Sequence, residues 1–142
     1  MTAASALEAG DQAPEFVIED VNRTMLARYA GASGDMNPMH TDDTAAQAVG
    51  YPGVFAHGMF SAGIAAQWLS RWLGHENLRT FKVRFKKQVW PGDTLSFNAE
   101  VVEVERSGRN GTTVIAVDLL VTNQDGTTVL EGSATADAGA DT

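Results

Sequence analysis

The spacing of apolar residues changes character several times along this chain, and each change predicts an element. Phe16-Val17-Ile18-Glu19 is a short apolar run that reads as a first strand. Asp20 or Asn22 can cap a helix through Thr24-Met25-Leu26-Ala27-Arg28-Tyr29, which Gly31 and Ser33-Gly34 stop. A polar turn follows, Asp35-Met36-Asn37-Pro38-Met39-His40, then a short helix over about 42–49 and a loop over 50–53. Residues 58–73 are apolar nearly all round, with small side chains at Ser61, Ala62, Gly63, Ala65 and Ala66. A helix apolar on every side is buried. The small residues would let another backbone come close, so this segment reads as a central helix wrapped by something else, with Gly63 against the wrapper.

The second half of the chain supplies that wrapper. Over 79–88, Phe81, Val83 and Phe85 alternate with Lys82, Arg84 and Lys86, the period of a half-buried strand. After Pro91-Gly92-Asp93, further strands are expected over 95–105, 113–122 and 128–135, joined by turns over 107–111 and 123–126. Successive strands joined by tight turns make an antiparallel meander. The expected class is α+β: a hot-dog fold, in which a curved antiparallel sheet wraps around one long central helix. One domain over 1–142, with an ordered core over about 10–137, fits the length. The sheet edges need cover, so pairing of two copies is expected.

Composition narrows the function. Hydrophobic residues make up 44% and charged residues 20% of 142, ordinary for a soluble domain, and no apolar run is long enough to span a membrane. The first residues have no basic segment or long apolar stretch, so no secretory signal is read. Cysteine is absent, which excludes thiol catalysis and disulfides and makes the cytoplasm the expected compartment. His40, His57 and His75 are scattered in sequence, so no metal site is expected. A net charge of −8 argues against nucleic acid as a partner. Arg79, Lys82, Arg84, Lys86 and Lys87 nevertheless cluster without an intervening acid. They are either a solvated strand face or the meeting point for a small polyanion.

Asp and Asn favour turns by bonding their own backbone, so Asp35, Asn37 and His40 have a structural reading as well as a chemical one. Context favours chemistry, because His57-Gly58 opens the buried helix and a helix start offers free N–H groups and a positive dipole end. The run from Tyr29 to His40, followed by Ala46, resembles the signature of (R)-specific enoyl-CoA hydratases in the MaoC-like dehydratase family. Ala56-His57-Gly58-Met59 and Val89-Trp90-Pro91-Gly92-Asp93-Thr94-Leu95 resemble two further blocks of that family, in the same order. The resemblance runs from about Gly10 to the end of the last strand. Ala32 departs from it by a packing change only. Gly63 stands where some members carry an active-site serine; Ser61 is expected to point elsewhere on the helix, so no serine role is carried over.

The resemblance implies a hydro-lyase that adds water to trans-2-enoyl thioesters to give (3R)-3-hydroxyacyl thioesters, or reverses that step, in fatty acid metabolism. Asp35 and His40 would hold the water and move its protons. The Gly58 N–H would stabilise the thioester oxyanion, and Asn37 would orient the pair or the substrate. Arg84, with Lys82 and Lys86, would meet phosphates of coenzyme A or of an acyl-carrier pantetheine arm. That carrier is part of the substrate, and no separate cofactor is implied. His57 is read as structural. The expected assembly is a homodimer, or a heterodimer with a paralogue. Two other functions fit the same fold: an acyl-CoA thioesterase, and a non-catalytic or heterodimeric subunit that completes a partner's site.

Overall fold

A computed structural model describes residues 4–106 and 111–139. Strand β1 (Phe16–Ile18) leads into helix α1 (Arg23–Ser33). Of the two caps the sequence allows, Asn22 is used: it is extended and its side chain accepts the Met25 N–H at 3.1 Å. Gly34 ends the helix at φ 76°, a left-handed conformation that costs glycine little, and its N–H donates to the Ala30 carbonyl. A 3-10 turn over Pro38–His40 follows, capped by Asn37, whose Oδ1 accepts the Met39 N–H. Asp42 caps the short helix α2 (Asp43–Ala48) by accepting from the Thr44 and Ala45 N–H groups.

Helix α3 spans Gly58–Leu73, as the apolar run predicts. Strands β2 (Leu78–Phe85), β3 (Leu95–Glu105), β4 (Thr113–Thr122) and β5 (Thr128–Ala138) join β1 in one antiparallel sheet of order β1-β3-β4-β5-β2. Two boundaries differ from expectation. β2 stops at Phe85 because the Lys86 and Lys87 N–H groups both turn to the Val129 carbonyl. β5 continues to Ala138 because Ala136 and Ala138 pair with Ile115 and Thr113 of β4. The turn expected over 107–111 falls largely on residues 107–110, outside the described residues.

Alternate residues of the long strands face α3. Leu95, Phe97, Ala99 and Val101 of β3 are buried, as are Ile115, Val117, Leu119 and Val121 of β4. With Phe60, Ala62, Ala65, Trp68, Leu69 and Leu73 of α3 they form one core, in the hot-dog arrangement of a sheet over a single long helix. The close approach of helix and sheet uses Ala62 and Ala65, both essentially inaccessible. It does not use Gly63, which is exposed and whose added Cβ would meet nothing within 4 Å. That expectation is corrected: 3.6-residue periodicity turns position 63 away from positions 62 and 65. A close approach does require glycine at Gly132, opposite Val83, where a Cβ would overlap the Lys82 carbonyl. No helix among the described residues is long and apolar enough to cross a membrane.

Candidate active site

The polar turn after α1 and the loop before α3 meet at one place. His40 is buried and its Nδ1 lies 2.7 Å from the Phe55 carbonyl. A carbonyl can only accept, so Nδ1 carries the hydrogen and Nε2 is left with a lone pair. The imidazole is further held edge-on by the Phe55 ring and face-on by His57, whose ring centroid is 3.9 Å away. His57 Nε2 in turn lies 3.0 Å from the Asp35 backbone carbonyl, which fixes the turn against the start of α3. Asp35 is exposed and its Oδ1 accepts the Asn37 N–H at 3.2 Å. Asp35, His40 and His57 each offer a ligand atom within 4.8 Å of the others. Two hydrogen bonds of about 2.8 Å can span that gap, so one water can touch both the carboxylate and an imidazole nitrogen.

Gly58 opens α3, and no side chain caps the helix. Its N–H is therefore free to meet a developing negative charge, reinforced by the helix dipole. The Phe85 ring packs over Gly58 so closely that a Cβ there would stand 3.1–3.3 Å from ring atoms. Beneath this helix start is a cavity of about 220 Å³, walled by Phe55, Val89, Leu130 and Phe85 and reached by the exposed Lys86 and Lys87.

The frame is fastened by Asp43, at the start of α2. Its carboxylate accepts the Val54 N–H at 3.0 Å and pairs with Arg23 of α1 at 2.9 Å. One side chain thus ties α1, α2 and the segment carrying Phe55 and His57. The Val54 N–H and the Arg23 guanidinium hold the Asp43 carboxyl below the usual carboxylate range. Gly53 makes room for it, since a Cβ there would sit 2.9 Å from Asp43 Oδ1.

The structure therefore brings together Asp35, His40 and Gly58, with Lys86 near the cavity. Asn37 is adjacent, but its Oδ1 is occupied in capping the 3-10 turn. Within this chain the structure does not bring Lys82 and Arg84 to the site. Both lie on the sheet face away from α3, in a shallow depression with Glu100, Asp118 and Glu131. The alternation that packs Phe81 and Val83 against the core, and sets the half-exposed Phe85 over Gly58, put these two on the other face, among acids. Lys86 pairs with Glu131 at 3.2 Å, whereas Lys87 has no ion pair among the described residues.

Two residues at the site escaped the sequence reading. His57 is in the cluster itself, so His40 and His57, unlike His75, are apart only in sequence. Ser61 points elsewhere than Gly63, as expected: Gly63 is exposed beside Tyr29 and Phe60, whereas Ser61 is buried and lies with His57 and Gly58 around the cavity. The i, i+4 spacing of His57 and Ser61 on one helix face was the available signal.

Comparison with known proteins agrees with the motif order. The MaoC like domain matches residues 6–124. The chain belongs to the MaoC-like family. Within it, the chain is similar to the peroxisomal hydratase-dehydrogenase-epimerase of Saccharomyces cerevisiae, 43% identical over 88 residues that cover 61% of this chain and 9% of that protein. It is also similar to the probable enoyl-CoA hydratase 2 of Dictyostelium discoideum, 31% identical over 126 residues, or 84% of this chain and 39% of that protein. This MaoC-like chain thus matches less than half the length of either relative. The unliganded R-hydratase PhaJ1 of Pseudomonas aeruginosa superposes with a TM-score of 0.83 at 26% identity, covering 98% of this chain and 86% of that one.

Proposed function

We propose that this MaoC-like protein is a hydratase/dehydratase that interconverts trans-2-enoyl thioesters and (3R)-3-hydroxyacyl thioesters. One observation carries the reading: the Asp35 carboxylate and a His40 nitrogen lie within reach of a single water, beside the uncapped start of α3. In the hydration direction His40 Nε2 takes a proton from the water as its oxygen bonds C3, and Asp35 holds the second hydrogen of that water. The π-electrons move toward the carbonyl, and the charge that develops on the thioester oxygen meets the Gly58 N–H. The imidazolium then returns its proton to C2 on the same face, so the pair ends as it began. The (R) outcome is supported by similarity to the R-hydratase, and the thioester class by the names of the relatives.

The carrier phosphates, of coenzyme A or an acyl-carrier arm, would meet Lys87 and Lys86 at the cavity rather than Lys82 or Arg84. Pairing of two copies is supported by β2, an edge strand with β5 as its one neighbour among the described strands, and by exposed Phe85, Met59 and Met36 beside the site. Sedimentation should give a particle of twice 15.1 kDa.

The direct test is hydration of crotonyl-CoA, followed by loss of enoyl absorbance. Loss of absorbance without free thiol is the expected result. Release of thiol would make the protein a thioesterase, and no reaction by the isolated chain would make it a subunit that needs a partner.

A further inference from the structure

The cavity at the start of α3 has one solvent-accessible polar side chain that the mechanism does not use. Phe55, Phe85, Val89 and Leu130 make its walls largely apolar, and His57 and Ser61 beside them are buried. Lys86 and Lys87 are exposed at its mouth. Gln88 also lines it, half-buried, and its side-chain amide has no hydrogen-bond partner among the described residues. An amide in an apolar recess costs free energy unless water or a ligand meets it.

Backbone bonds on both sides hold Gln88 in place. The Lys86 and Lys87 N–H groups donate to the Val129 carbonyl of β5, and the Val89 carbonyl accepts the Ala56 N–H at 2.8 Å. The segment is thus fastened to the sheet and to the residues leading into α3. Exposure falls along it: Lys86 and Lys87 are exposed, Gln88 is half-buried and Val89 is buried. A pantetheine arm presents its groups in the same order, phosphate outermost, then amides, then the thioester. With phosphate at Lys87 and the thioester carbonyl at Gly58, an amide of the arm falls at Gln88. The cavity of about 220 Å³ is roughly seven times the ~30 Å³ that one water occupies in the liquid. That is room for a slender chain and too little for a nucleotide.

We propose that Gln88 is a specificity-determining residue that recognises an amide of the pantetheine arm, so that the site selects amide-bearing thioesters whether or not they carry phosphate. A glutamine side chain offers both a donor and an acceptor, so it can meet either the N–H or the carbonyl of that amide. The inference rests on the hydratase reading above, since it takes the cavity as the carrier end of the same site. Three contacts then divide the carrier among them: Gly58 at the thioester, Gln88 at an amide and Lys87 at phosphate.

Titration followed by NMR, with three unreactive butanoyl thioesters, tests binding apart from turnover. The coenzyme A ester has phosphates and amides, the N-acetylcysteamine ester has one amide and no phosphate, and the butanethiol ester has neither. Gln88→Leu should weaken binding of the first two about fivefold, the worth of one hydrogen bond, with the melting temperature unchanged. The butanethiol ester should bind the variant no more weakly than the wild type. Equal weakening of all three, weakening of the coenzyme A ester alone, or no weakening at all would overturn the proposal. Turnover of the corresponding crotonyl thioesters separates the two readings. Hydration with KM values that Gln88→Leu leaves alone sinks the amide contact and keeps the hydratase. Amide-dependent binding at Gln88 without hydration of any ester keeps the contact and sinks the hydratase.

Discussion

His40 can act as a base because of a bond made fifteen positions away, at the Phe55 carbonyl. That bond fixes the tautomer, and the His57 ring fixes the plane. Asp35 is held by its own turn through the Asn37 N–H and, at its backbone, by His57. Asp35→Asn and His40→Gln should each fold normally and lose about 10²–10⁴-fold in kcat/KM, the usual worth of one acid–base group. Because both act on one water, the double variant should be little slower than either single one. More than a tenth of wild-type rate in either single variant would remove that residue from the mechanism. The basic residues divide by face. Lys87→Ala should raise KM for a coenzyme A substrate about tenfold, from loss of a charge-assisted contact of roughly 1.5–3 kcal/mol, with kcat nearly unchanged. Arg84→Ala should leave both constants alone, since Arg84 sits outside among acids. The N-acetylcysteamine thioester, which has no phosphates, should be indifferent to either change. An Arg84 effect confined to the phosphate-bearing substrate would return that residue to the binding site.

At the scale of elements, α3 has two kinds of small residue. Ala65 is completely buried against the sheet, and enlarging it forces the layers apart. Ala65→Leu should cost about 1–3 kcal/mol by overpacking. Gly63 faces out with open space around it, so only its backbone freedom matters. Gly63→Ala should raise stability by about 0.5–1 kcal/mol, because glycine loses more entropy on entering a helix. Denaturant melts of the two variants check both signs. A destabilised Gly63→Ala would show that this face is covered, which the pairing of two copies could do.

For the whole molecule, the most consequential polar fastening is Asp43, which joins three segments through one carboxylate. Its pKa is lowered in the folded state, so folding is favoured while the group is ionised in both states. That contribution is present above the ordinary carboxylate range and fades as pH falls through and below it. Asp43→Asn removes the ionisable partner. Its melting temperature should lie below wild type at neutral pH, and the gap should narrow as pH falls through that range. A gap that stayed constant with pH would mean that Asp43 acts through geometry alone.

The sequence by itself determined the elements and their order. The apolar run over 58–73, the alternation around Phe81, Val83 and Phe85 and the turn residues between strands each carry a local period that one backbone conformation satisfies. It also marked Asp35, His40 and Gly58, because the three motif blocks are short and contiguous. Tertiary structure alone decided which side chains those blocks meet. His57 and Ser61 entered the site, and Lys82 and Arg84 left it, because a strand's two faces and a helix's several faces are assigned by what packs against them. The tautomer of His40 was likewise beyond the sequence, since it depends on a carbonyl delivered by another loop. Local periods are written in neighbouring residues; distances between segments exist only once the chain has closed on itself.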